Sequence, residues 1–179
     1  MRVYLDNVAA SGRVLGDLEP ASERKALEEI EHAHSTGRIK IVTSRESWRE
    51  QDRTKDVAKH AKLAAARAEV SVVATDHVVL GSGTLNDLRG TTMTYPLVSD
   101  IVDDALFCDL KKIGLRDADA RHLMYASVNA CERFVTLDPD FLDRRSALEA
   151  RSSNLKIVKP SELAAELRNA PHGGLPSKH

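Results

Sequence analysis

The stretch DADARHLMYASVNACERFVTLDPDFL, residues 117–142, holds the acids best spaced for shared chemistry. Asp119 falls in the first turn of a helix predicted over residues 118–129, where the helix dipole favours a negative charge. Asp138 follows a strand predicted over 134–137 and opens the turn Asp138-Pro139-Asp140. The link between helix and strand is too short to carry these acids far apart, so both can face one cavity. Asp6 ends another predicted strand, and Glu46 and Glu50 lie one turn apart on one face of a helix that Ser44 can cap. Crowded carboxylates repel one another unless a cation neutralises them. Their hard oxygens select Mg²⁺ or Mn²⁺ over zinc, and such ions can activate a water molecule. The same residues also suit plain structural ends. Asp117 is a natural N-cap, Asp6-Asn7 an Asx turn, and Asp-Pro-Asp a strand-ending turn.

The elements that must position these acids alternate along the chain. Residues 3–5 make a short buried strand, near-central in its sheet, that ends at Asp6. Residues 19–36 read as an amphipathic helix closed by Gly37, and IKIVT, residues 39–43, as a β-branched strand. The helix after Ser44 carries Arg45, Arg49 and Arg53 on neighbouring turns, with Lys55, Lys59, Lys62 and Arg67 beyond. These cations are the best local grip for a phosphate backbone, although Asp52 and Asp56 among them also fit a solvated face. Residues 70–97 are the least readable part: 70–74 and 78–80 fit short strands or buried helix turns, with loop signals at Gly81-Ser82-Gly83 and Arg89-Gly90-Thr91. A helix over 99–112 ends at Gly114. Residues 155–158 form a last strand, and Ser161 caps a helix to about residue 167. The tail, 169–179, is expected to be flexible. Strands alternating with helices argue an α/β fold with a parallel sheet covered on both faces, whose ligands bind at the carboxyl ends of the strands. Asp6 and Asp138 stand at that end.

Composition narrows the function classes. The 179 residues, 42% hydrophobic and 30% charged, are enough for one domain with a real core. Aromatics at 4% leave few platforms for stacking single-stranded bases, and a net charge of −1 makes any nucleic-acid contact a local matter. Cys108 and Cys131 have no metal spacing and read as reduced thiols of a cytoplasmic protein. No stretch approaches a membrane span, and the histidines show no zinc pairing.

VYLDN near the start, IVTS followed by a helical Glu, DARHLMYA, FVTLDPDFL and the closing KIVKPSELAAEL together resemble the PIN-domain family, the nuclease fold of VapC-type toxins of toxin–antitoxin pairs. The resemblance spans most of residues 2–167 and implies a three-layer α/β/α domain over 1–168, with a parallel sheet of about four or five strands and 70–97 as an insertion. It also implies metal-dependent cleavage of RNA. Asp6, Asp119 and Asp138 would be ligands of Mg²⁺ or Mn²⁺, and Glu50, with Glu46 as its rival, would bind a second ion or orient the water. Thr136 would hydrogen-bond the water or a neighbouring carboxylate, and Arg49 and Arg53 would hold RNA. Asp117 and Asp140 compete for the third and fourth acidic places. His122, one turn after Asp119, reads as a packed, hydrogen-bonded histidine. The family further implies a homodimer and an antitoxin partner. Two other readings are a catalytically weak PIN-like module that binds RNA or protein, and a phosphatase or receiver domain with Asp6 as phospho-acceptor, which lacks the expected second early acid.

Overall fold

The computed structural model describes residues 1–75, 77–86, 92–152 and 154–170. In order they form β1 (Arg2–Leu5), α1 (Asn7–Leu15), α2 (Ala21–Ser35), β2 (Lys40–Thr43), α3 (Arg45–Gln51), α4 (Val57–Ala66), a 3₁₀ turn (Arg67–Glu69) and β3 (Ser71–Val72). Then follow β4 (His77–Asn86), β5 (Thr92–Ser99), α5 (Asp104–Ile113), α6 (Asp117–Val128), β6 (Arg133–Val135), α7 (Pro139–Leu142), α8 (Arg145–Glu149), β7 (Lys156–Val158) and α9 (Pro160–Asn169).

One five-stranded sheet runs β3-β2-β1-β6-β7, with every pairing parallel and β1 at its centre. The two-residue alternation of the strands separates two cores. Tyr4, Val42, Phe134 and Ile157 point to the face covered by α5, α6, α7 and α8. Val3, Leu5, Ile41, Val135 and Val158 point to the face covered by α1, α2 and α9. Helices on both faces of an all-parallel sheet give the three layers that the alternation predicts. No helix among the described residues is long and apolar enough to cross a membrane.

Several local readings change. The helix after Ser44 is two helices, because α3 stops at Gln51, Asp52 caps its end, and Asp56 starts α4 by accepting the Lys59 N–H at 3.0 Å. Arg116, not Asp117, occupies the N-cap of α6, and Lys159, not Ser161, that of α9. Gly81-Ser82-Gly83 lies inside β4 rather than in a loop. An antiparallel ladder with β5 outweighs the glycine signal, and its register shifts between Val79 and Ser82. The β4–β5 pair is a separate two-stranded sheet, so the uncertain segment adds to the parallel sheet only through β3. Arg89-Gly90-Thr91 and the tail beyond 170 lie outside the described residues.

Ser161 has a different task from capping. Its N–H and hydroxyl both donate to the buried carboxylate of Glu23, at 2.9 and 2.6 Å, tying α9 to the start of α2. Glu23→Gln keeps one acceptor and loses the charge behind both bonds, so urea unfolding should show a loss of about 1 kcal/mol. An unchanged midpoint would mean that this tie adds nothing.

Candidate active site

Parallel register builds the centre of the site. Leu5 pairs with Val135, so Asp6 and Thr136 emerge side by side from the carboxyl ends of adjacent strands. Asp6 caps α1, its Oδ1 accepting the Ala9 N–H at 2.8 Å, while its Oδ2 accepts the Thr136 hydroxyl. Thr136 Oγ1 in turn accepts the Asp138 N–H at 3.0 Å. Thr136 is fully buried, so it acts by holding Asp6 and the Asp138 backbone together rather than by touching a substrate. Asp138 caps α7 through the Asp140 N–H, at 2.8 Å. The capping and turn roles are therefore real, and they are also what fixes the carboxylates in place.

Asp6, Glu50, Asp119 and Asp138 line one cavity of about 290 Å³, together with Asn7, Arg116 and His122. A hollow of about 350 Å³ between α2 and α9 is larger, but it mixes Lys25, Glu28, His32 and Arg38 and lies away from the strand ends, so size does not locate the site. The four-acid cavity sits where open parallel sheets bind ligands. Of the two glutamates on α3, only Glu50 reaches it. Glu46 is buried and salt-bridged to Arg49 at 3.1 Å. Asp117 is also outside, bound to Lys111 at 2.5 Å, which holds its carboxyl below the usual range. Asp140 is outside the lining and pairs with Arg144 at 2.9 Å.

Burial pushes the Asp6 carboxyl up to about 6, against the pull of the Ala9 and Thr136 hydrogen bonds, and the nearby charge of Asp138 adds to the rise. Asp119 is also raised, chiefly by burial, with Arg116 opposing. Both shifts mark carboxylates whose burial outweighs the hydrogen bonds and positive charge around them.

Arg116 is the residue that sequence reasoning missed. Its Nε donates to Asp119 at 3.0 Å, and its terminal nitrogen lies 3.8 Å from Asp138 and 3.5 Å from Asp140. Its side chain is 72% exposed, so it leans over the acids from the solvent side. The available signal was a basic residue three positions before Asp119 at a helix start, a spacing that pairs on the first turn. The expected RNA-holding arginines differ from each other. Arg49 is engaged by Glu46 and by Asp100, each at 3.1 Å. Arg53 lies beyond the end of α3, its N–H donating to the Glu50 carbonyl at 3.1 Å, and its exposed guanidinium has no ion-pair partner among the described residues.

Among the described residues no three His, Cys, Asp or Glu side chains stand close enough together to hold one metal ion as they lie. The donor set nonetheless suits a hard divalent cation, being carboxylate oxygens without thiolate, and the Arg116 guanidinium already stands among them as a positive charge. No family model, curated protein or solved structure matches this chain.

Proposed function

We propose that the chain is a metal-dependent endoribonuclease of the PIN-domain type, hydrolysing RNA phosphodiester bonds with Mg²⁺ or Mn²⁺. The observation that carries this reading is the convergence of Asp6, Glu50, Asp119 and Asp138 on one cavity at the carboxyl ends of β1 and β6. The three-layer arrangement around a five-stranded parallel sheet agrees with the fold that the family resemblance implies.

In this reading Asp6, Asp119 and Asp138 would hold the ion, which would supply charge stabilisation and make a nearby water more acidic. Thr136 keeps Asp6 and Asp138 in register from beneath. Glu50, across the cavity on α3, orients the attacking water or holds a second ion. Arg116 neutralises the acids and is long and exposed enough to turn toward a phosphate. Arg53, close to Glu50 in the chain and without an ion-pair partner among the described residues, is the better-placed of the two arginines for the RNA backbone. The resemblance extends the proposal to a cytoplasmic, homodimeric toxin whose antitoxin protein covers this cleft.

Arg116 also favours a second reading. A guanidinium lodged among the acids fits a catalytically weak module that binds RNA or a protein partner. Purified protein incubated with a labelled structured RNA, with Mn²⁺ or Mg²⁺ against EDTA, separates the two. The nuclease reading expects cleavage that needs the metal. RNA retained intact at every metal concentration would leave the binding module.

A further inference from the structure

Glu50 is held in the cavity by a buried chain of hydrogen bonds that starts in the core. Tyr4 lies on β1, fully buried, stacked on Phe134 at 5.4 Å between centroids with the rings 8° apart. Its hydroxyl oxygen is 2.6 Å from Ser44 Oγ and 2.7 Å from His122 Nδ1. His122, on α6 and only 2% exposed, turns its other nitrogen, Nε2, to Glu50 Oε2 at 3.3 Å. Ser44 sits at the N-cap of α3 without making a side-chain capping bond, which leaves its hydroxyl for Tyr4. The central strand and the start of α3 thus meet at the Tyr4 hydroxyl, which contacts the imidazole on α6, and that imidazole faces the second acid of the cleft.

We infer that His122, pinned at Nδ1 by the Tyr4 hydroxyl, is a positioning residue that holds the Glu50 carboxylate toward the cavity. This rests on the nuclease reading of the site. The chemistry follows from the donor inventory. An imidazole nitrogen opposite a carboxylate oxygen attracts it only when it carries a proton. A neutral ring has one N–H, so Nδ1 must then be the acceptor, and the Tyr4 phenol is the donor within reach. Hydroxyl protons rotate freely, so Ser44 can turn its own proton to the phenol oxygen and keep the chain satisfied. Burial raises the Tyr4 phenol well above its usual range, which keeps that donor present. A histidine whose far nitrogen is fixed by a hydrogen bond has its tautomer and ring plane set, as for metal-bound histidines with an outer partner. Glu46, on the same helix, has Arg49 instead of a histidine and stays out of the cavity.

The test has two arms. Ring ¹⁵N shifts of His122, read in metal-free protein, should report the Nε2–H tautomer in wild type and a mixture in Tyr4→Phe. Nδ1–H as the dominant wild-type tautomer would overturn the inference. The second arm is a cycle with Glu50→Gln, scored on metal-dependent cleavage. His122→Leu should lower kcat by about 10–100-fold with KM little changed, as removal of outer partners commonly does. His122→Gln, which keeps a donor toward Glu50, should restore much of that loss. In the Glu50→Gln background, His122→Leu should cost almost nothing further, because both changes remove one interaction. A full additional loss there would overturn the inference while leaving the nuclease intact. Cleavage indifferent to Asp119→Asn as well would instead reject the nuclease reading itself. Should His122→Leu fail to fold, Tyr4→Phe, which preserves the stack on Phe134, takes its place in the same cycle with the same criteria.

Discussion

Replacing Asp119 or Asp138 by asparagine should lower metal-dependent RNA cleavage by at least about a hundredfold, more than the loss typical of an outer-shell partner. The two sites make the point together because their local roles differ. In Asp138→Asn the amide oxygen can still accept the Asp140 N–H and cap α7. In Asp119→Asn the new side chain still sits in the first turn of α6. The fold therefore survives both changes, and what disappears is negative charge in the cavity. Arg116 loses its strongest partner in Asp119→Asn and one of its weaker ones in Asp138→Asn. A surplus of positive charge would then face any incoming cation, so half-saturating Mn²⁺ should rise as well as kcat fall. Asp117→Asn is the matched control, at the same helix start but bound outward to Lys111, and it should cleave at about the wild-type rate. The measurement is cleavage of a labelled RNA across a Mn²⁺ titration, with all variants purified identically. Equal activity in wild type, Asp138→Asn and Asp117→Asn would mean that the signal is a contaminating ribonuclease and that the cavity is not its source.

How much of this was legible follows from what each acid does locally. Asp6 and Asp138 were readable because they are strand-end residues, and alternating strands and helices already place strand ends on one side of the sheet. The centrality of β1 was equally readable, since the unbroken apolar run Val3-Tyr4-Leu5 suits a strand covered on both faces, and all three residues are buried. The choice between Glu46 and Glu50 was not. Both lie on α3 one turn apart, and only the rotation of α3 against α6 turns Glu50 to His122 and buries Glu46 beside Arg49. His122 shows the same limit from the other side. It is packed and hydrogen-bonded as its surroundings predict, but its partners are 118 and 72 residues away in the chain, and no local spacing reveals them. The break between α3 and α4 escaped because charge spacing continued across it, while Asp52 and Asp56 supplied one helix end and the next helix start. The β4–β5 pair escaped for a different reason. Its glycines suit a loop locally, and only cross-strand pairing overrides them.

Asp6→Asn should make the metal-free protein more stable near neutral pH, by about 1–3 kcal/mol, and should abolish part of its pH dependence. The sign follows from the direction in which the carboxyl moves. Asp6 has an ordinary value of 3.8 and is raised to about 6 in the fold, chiefly by burial. Between those values the folded state holds a proton that the unfolded chain has released. Stability therefore falls as pH rises from about 4 to about 6, and the deficit persists above that window. A rise of this size corresponds to about 3 kcal/mol as an upper bound. The gain in the variant is smaller than this, because the Ala9 N–H and the Thr136 hydroxyl lose an ionised acceptor. At about pH 4 the carboxyl is already neutral in the fold, so wild type and variant should nearly coincide there. Divalent metal reverses the comparison. A cation that binds only the folded protein raises its melting temperature by mass action, and this rise should be present in wild type and absent in Asp6→Asn. Melting curves at about pH 4 and about pH 7.5, each with and without millimolar Mn²⁺, read all of these at once. A variant less stable than wild type near neutral pH would show that the carboxylate is already compensated in the fold. A metal response retained by the variant would remove Asp6 from the ligand set. The predicted pattern, more stable without metal and indifferent to it, would show that burial at Asp6 is a cost of the fold that a bound cation offsets.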